Sequence, residues 1–179
     1  MIVLFGAIGS GKTEQGERLA KRLNCPRIST SQLLRAHSDP HHLQQIAEGT
    51  LVNDQEVLDL LEPELVKIKA DKNEFILDGS PRSIGQAKWL IGKIKAGEIK
   101  FTAIIYLKVP EAVVIERLKK RGRADDKEAI IRHRLDEYAK ITTPVLDYLK
   151  SQGYTVDEVE GSLPPEEVEK NIQRVLESK

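Results

Sequence analysis

The 179 residues suffice for one α/β domain with a sizeable core but are short for two, and 28 basic side chains balance 28 acidic ones at a formal net charge of zero. With a pI of about 6.9 there is no global field to draw the chain onto nucleic acid or an anionic membrane. The single cysteine, Cys25, excludes an internal disulfide and a four-cysteine zinc site, and no run approaches the roughly 18 apolar residues of a membrane span.

The opening "MIVLFG" is too short for a signal-peptide core and lacks a basic start, so a reducing cytoplasm is the expected compartment. Ile2–Phe5 reads as a strand, followed by "GAIGSGKTEQ" (6–15) and a helical period. A short strand is expected near Arg27–Ser29. From 30 to 69 two or three helical segments follow without a strand, which predicts a small helical insertion, about 30–60, beside the sheet and free to move. Within it, His41 and His42 after Asp39-Pro40 read as solvated helix-start chemistry rather than metal ligands; elsewhere in the chain Cys25 and Trp89 read as packing residues. Strands are expected again at Phe75–Asp78, Thr102–Val109 and Tyr154–Val159. A helix from about Asp126 places Ile131, Leu135, Tyr138, Val145 and Leu149 at three- and four-residue steps, with Arg134 on the other flank and Pro144 expected to bend it. The alternation of strand and helix predicts an α/β fold, a parallel five-stranded sheet with helical crossovers.

Gly6, Gly9, Gly11, Lys12 and Thr13 fit G-x-x-x-x-G-K-[ST] between an expected strand and an expected helix. Glycines let successive backbone N–H groups, Ser10's included, face one concavity. The helix start adds positive potential, Lys12 is expected to reach the outer phosphates, and Thr13 to serve an Mg²⁺ shell. The expected guest is a nucleoside triphosphate. "FILDG" (75–79) ends an apolar strand in Asp78, placed to hold Mg²⁺ through water.

Arg35, Arg82, Arg117, Arg121, Arg123 and Arg134 each fall at the start or end of an element. Any one of them alone reads as a solvated surface charge. Six around one phosphate loop suit phosphoryl transfer, in which guanidinium forks match charge spread over phosphate oxygens. If the acceptor is itself a phosphate, its second ionisation near pH 6 makes it a ready nucleophile and no general base is needed. None of the four histidines reads as catalytic.

These residues resemble the adenylate kinases and related nucleoside monophosphate kinases over nearly the whole chain. "GAIGSGKTEQ" is similar to GxPGSGKGTQ, "ISTSQLLR" (28–35) to ISTGDLLR, and "DGSPRSIGQA" (78–87) to DGFPRTxxQA. "GRADDKEAIIRHRLDEY" (122–138) is similar to GRxDDxxExxxxRLxxY, and "VEGSLPPEEV" (159–168) to the family's closing loop. The resemblance implies a P-loop kinase fold: a parallel sheet core with a helical NMP-binding insertion and a lid, here vestigial at about 121–125. It implies that Lys12 and the loop glycines hold the ATP phosphates. Thr30, Arg35, Arg82 and Gln86 would hold the monophosphate, Gln86 reading the adenine edge and the backbone near Leu51 and Val52 closing the base pocket. Arg117 would stack on the ATP adenine beside Gly161 to Leu163, and Arg121, Arg123 and Arg134 would surround the transferring group.

Four departures stand beside the matches. Thr13-Glu14 replaces a usual Gly-Thr, and Glu14 repels nucleotide unless its side chain turns away. Gln32 replaces a usual Asp and Ser80 a usual Phe, both near the acceptor. Only Gly122 separates Arg121 from Arg123 where relatives carry a longer lid. The expected activity is Mg²⁺-dependent transfer from ATP to AMP by a monomer that binds neither nucleic acid nor membrane and carries no structural zinc. A kinase for CMP, UMP or another small acceptor, and a nucleotide-binding regulatory protein with little turnover, remain open alternatives.

Overall fold

The computed structural model describes residues 1–37, 52–123 and 126–179. Its strands are β1 (Ile2–Phe5), β2 (Arg27–Ser29), β3 (Ile76–Asp78), β4 (Ala103–Lys108) and β5 (Val156–Glu160). All neighbours run parallel, in the order β2-β3-β1-β4-β5. β1 is buried along its whole length because helices cover both sheet faces, as a parallel sheet requires. Its side chains alternate with period two: Val3 and Phe5 join one core cluster with Leu77 and Ile104, while Ile2 and Leu4 join another with Ile76 and Ile105.

The helices are α1 (Lys12–Leu23), α2 (Thr30–His37), α3 (Asp54–Lys67), α4 (Ile84–Lys95), α5 (Glu111–Arg121), α6 (Glu128–Glu137), α7 (Thr143–Ser151) and α8 (Pro165–Glu177). α1 and α8 cover the second cluster; α4 and α7 cover the first. Among the described residues no strand lies between α2 and α3, and α3 continues to Lys67, past residue 60. His41, His42 and Leu51 lie outside the described residues. No described helix is long and apolar enough to cross a membrane.

One helical region departs from expectation in an informative way. α6 and α7 are joined by one turn of π-helix, Tyr138–Thr142, in which the Thr143 N–H reaches back five residues to the Tyr138 carbonyl. Pro144 sits at the first turn of α7, where its missing N–H costs little. The perturbation expected at Pro144 is therefore taken up just before it, as a turn carrying one extra residue.

The chain leaves β1 toward one side of the sheet and returns to β4 on the other, so the order reverses at β1. The carboxyl ends of β1 and β3, Phe5 and Asp78, open onto this switch point, where α/β sheets place their ligands. A third cluster, Val114, Leu118 and Ile131 with Ile8 and Leu135, packs α5 against α6 beside it and fixes the arginine-bearing ends of both.

Candidate functional site

The phosphate loop links Phe5 to Lys12, the first residue of α1. Gly11, at φ 95°, precedes that helix and no side chain caps it, so the leading amides are left to a ligand. Gly6, at φ 151°, admits no side chain: a Cβ there would meet Ser10 Oγ at 2.5 Å and the Leu107 carbonyl at 2.9 Å. Lys12 does not extend outward as the sequence suggests. Its Nζ donates to the carbonyls of Gly6 (2.5 Å) and Ala7 (2.7 Å), and lies 3.4 Å from Ser10 Oγ. Desolvation pushes this ammonium down to about 8, against the pull of Asp78.

At the base of the loop the Thr13 hydroxyl donates to Asp78 Oδ2 at 3.4 Å. The same oxygen accepts from Arg27 Nη1 at 2.8 Å. A hydroxyl facing a carboxylate suits a hard cation such as Mg²⁺. Among the described residues no group of three or more His, Cys, Asp or Glu forms a metal cluster. Glu14 is exposed, pairs with Arg18 at 3.3 Å one helical turn along, and borders the cleft that runs along α1.

Arg82 is the centre of the other side. Its Nε donates to the Gly79 carbonyl at 2.7 Å, and its own carbonyl accepts from Thr142 Oγ1 at 3.1 Å, a contact made from the π turn. Burial, reinforced by the nearby charge of Arg134, pushes Arg82 below its ordinary value. Lys12 feels Arg82 and Arg134 in the same sense. Such a gathering of cations calls for a bound anion. Arg35, Arg121 and Arg123 line the same cleft, with Tyr138 and Thr142 on its wall.

Gln86 is 3 % exposed and its amide is already engaged. Oε1 accepts from Ser80 Oγ (3.0 Å) and the Arg82 N–H (2.8 Å), while Nε2 donates to Asp54 Oδ1 (2.8 Å). Val52 is buried in the first core cluster. Thr30 is buried as well, its hydroxyl reaching the Asp78 carbonyl at 3.4 Å and packing under Gly79; Ser31 is the residue there that faces the cleft.

A second cleft lies along α1 on the β5 side. Arg117 donates to the carbonyls of Gly161 (2.9 Å) and Ser162 (3.2 Å), so its guanidinium lies against the closing loop, and Leu163 lines the same cavity. Arg121 is held in a bidentate pair with Asp126 (2.6 and 2.9 Å), whose Oδ2 also accepts from the Arg123 N–H at 3.0 Å. The hydrogen bonds from Arg121 hold the Asp126 carboxyl below its usual range. Gly9, Lys12, Thr13, Arg121 and Arg123 border both clefts.

The sequence pattern of the adenylate kinase family matches residues 4–154. The chain belongs to the adenylate kinase family. Adenylate kinase 1 of Synechocystis sp. is 39 % identical over 183 residues, covering 98 % of this chain and 96 % of that protein. Adenylate kinases of Mycolicibacterium vanbaalenii (40 % identical; 88 % of this chain, 90 % of that protein) and Corynebacterium urealyticum (39 %; 90 % and 92 %) are similar.

Gln32 Oε1 accepts from Arg27 Nη2 at 3.1 Å. Arg27, Asp54, Asp126 and Thr142 were not singled out from the sequence. Arg27 reads there as one more charge on a short edge strand, and only the parallel register of β2 with β3, Ser29 opposite Asp78, brings it to the site.

Proposed function

We propose that the chain transfers the γ-phosphoryl group of ATP to AMP, giving two ADP. The observation that supports this reading is the shared border: two clefts meet at Lys12, Thr13, Arg121 and Arg123, so a donor and an acceptor phosphate would face one another across a group of cations. ATP would occupy the cleft of Gly6, Gly9, Ser10, Gly11, Lys12 and Thr13, with its base between Arg117 and the Gly161–Leu163 loop. AMP would occupy the cleft of Arg35 and Arg82, with its base against Gln86 and Val52. Leu51, carried over from the family pattern, belongs to the same proposal.

The acceptor phosphate, a dianion at neutral pH, attacks Pγ in line while the bond to the β–γ bridging oxygen breaks and ADP departs. No base is required. Lys12, Arg82, Arg121, Arg123 and Arg134 hold the equatorial and bridging oxygens where charge spreads, and alignment supplies much of the rate. Thr13 and Asp78 would hold Mg²⁺, Asp78 through water; when bound, the cation screens the β- and γ-phosphates.

The α2–α3 region would serve as the acceptor-binding subdomain and residues 121–125 as a vestigial lid. A monomer is the expected state, since the described residues of one chain line both clefts. The lone cysteine and balanced charge support a cytoplasmic setting. A coupled assay of ADP formation from ATP with each nucleoside monophosphate tests the reading: AMP is expected to be the best acceptor. Preference for CMP or UMP makes it another monophosphate kinase, and no ADP with any acceptor makes it a nucleotide-binding protein without turnover.

A further inference from the structure

Arg27 crosses from β2 to the phosphate site on a path cleared for it. Its stem passes over α1 at Gly16, where a Cβ would stand 2.8 Å from Arg27 Cδ. A glycine inside a helix costs roughly 1 kcal/mol against alanine, so this passage is made at the helix's expense. The guanidinium then meets three acceptors: Asp78 Oδ2 at 2.8 Å, Gln32 Oε1 at 3.1 Å and Glu17 Oε1 at 3.3 Å. The pair is largely enclosed, with the Arg27 and Asp78 side chains only 9 % and 5 % exposed.

We propose that Arg27 is a resident counter-cation of the triphosphate site, neutralising Asp78 so that ATP binds with little dependence on a divalent cation. The inference rests on the ATP reading of the phosphate loop. A carboxylate beside the β- and γ-phosphates repels a bare polyphosphate and attracts its Mg²⁺; both effects weaken when a guanidinium is fixed on that carboxylate. The chain carries Gln32 where the family pattern has Asp, which removes one carboxylate, while Glu17, which borders the same cleft, is 61 % exposed and stays solvated. Arg27 touches neither nucleotide nor metal; it sets the charge that both of them meet.

The test is binding, read by fluorescence of an N-methylanthraniloyl derivative of ATP, in excess Mg²⁺ and in EDTA. For the parent the two Kd values should lie within about tenfold. In Arg27→Gln, a carboxylate left bare some 5–8 Å from phosphate should weaken metal-free binding on the order of tenfold or more, with much of the loss recovered in Mg²⁺. Arg27→Lys keeps the charge and should stay near the parent ratio. In Arg27→Gln/Asp78→Asn the bare carboxylate is gone and metal-free affinity should return. That rescue also separates the charge effect from damage to the fold, which circular dichroism follows in parallel.

An unchanged ratio in Arg27→Gln, a Lys variant that behaves like the Gln variant, or a double variant without rescue overturns the role of Arg27 while leaving the ATP site standing. Failure of the parent to bind the probe even in Mg²⁺ overturns both.

Discussion

Lys12 Nζ lies 2.5 Å from the Gly6 carbonyl and 2.7 Å from that of Ala7, so before nucleotide arrives the cation of the phosphate loop is bound to the loop itself. Asp78 offsets only part of its desolvation, and the ammonium is pushed down to about 8. An incoming phosphate supplies the missing counter-charge and must raise that value again.

The first prediction follows from this linkage. Below pH 8 the free protein holds the charged lysine and ATP affinity should be nearly flat. Above it, binding must first protonate Lys12, and affinity should fall by up to about tenfold per pH unit until the pKa of the complex is reached. Lys12→Arg should abolish that fall, since guanidinium stays charged. In the empty protein the sign for stability is opposite: between pH 8 and the ordinary lysine value of 10.5 the unfolded chain binds more protons than the folded one, so the Lys12 contribution to stability rises with pH through that window. Lys12→Ala should keep its circular dichroism and lose on the order of 10²-fold or more in kcat. Equal ATP affinity at pH 7 and 9.5 in the parent would remove Lys12 from the phosphates.

The second prediction concerns the acceptor base. With Oε1 of Gln86 accepting from Ser80 and Arg82 and Nε2 donating to Asp54, one amide hydrogen is left for a ligand. That hydrogen suits a ring nitrogen with a lone pair, as in adenine N1, and is mismatched to the N–H of guanine or uracil. AMP should therefore exceed UMP and GMP as acceptor by 10-fold or more, on the order of one lost buried hydrogen bond. CMP, which keeps a ring lone pair on a smaller base, should fall between. Ser80→Ala frees one face of Oε1 and should narrow the spread in KM without an equal change in kcat. A spread unaltered by Ser80→Ala, measured over all four acceptors, would detach Ser80 from specificity.

What the sequence makes legible here is whatever depends on local order. The Ile2–Phe5 run, the glycine spacing and the switch of apolar period locate the sheet and the phosphate loop because each is written in adjacent residues. Arg82 and Arg134 converge on the site as their positions at element ends suggest. Side-chain direction is another matter. Nothing local says that Lys12 folds back or that Gln86 is engaged on both sides; these follow from burial and from partners as far as 32 residues away, whereas the turn of Glu14 to Arg18 is a pairing four residues apart on one helix. Arg27 and Asp78 are 51 residues apart and meet only through sheet register. The π turn depends on one extra residue in a continuous helical pattern, which periodicity over a longer window averages out.

A third prediction tests that turn. The Thr142 hydroxyl holds the Arg82 carbonyl at 3.1 Å, and the extra residue of the π turn aims it there. Thr142→Val keeps the shape and removes the bond, so Arg82 should lose alignment. A tenfold or larger fall in kcat with a smaller change in KM for AMP is expected, because misplacement of about 1 Å at a clamp costs up to 10²-fold. Thr142→Ser should retain most of the rate. If Val and Ser variants behave alike, the hydroxyl does not position Arg82.

The last prediction follows from the short span between α5 and α6. Arg121 ends α5, Gly122 turns at φ 66°, and Asp126 ties Arg121 and the Arg123 N–H together ahead of α6. Where a longer lid closes, it brings arginines onto the phosphates and expels water; here Arg121 and the backbone of Arg123 are already tied to Asp126, so a smaller rearrangement is expected on ATP binding. ATP alone should therefore produce little compaction in solution scattering. Water is excluded less well, so slow ATP hydrolysis without AMP, taken relative to transfer, should exceed that of a long-lid relative assayed alongside. Asp126→Asn releases Arg121 from its ion pair and should lower transfer more than it weakens ATP binding. Large ATP-induced closure with hydrolysis no higher than in the long-lid enzyme would mean that another segment covers the phosphates. The basic run at the end of α5 is the first to test, although Lys119 and Lys120 are exposed and paired with Glu128 and Glu116 at 2.8 and 2.6 Å, contacts they would have to give up to reach the cleft.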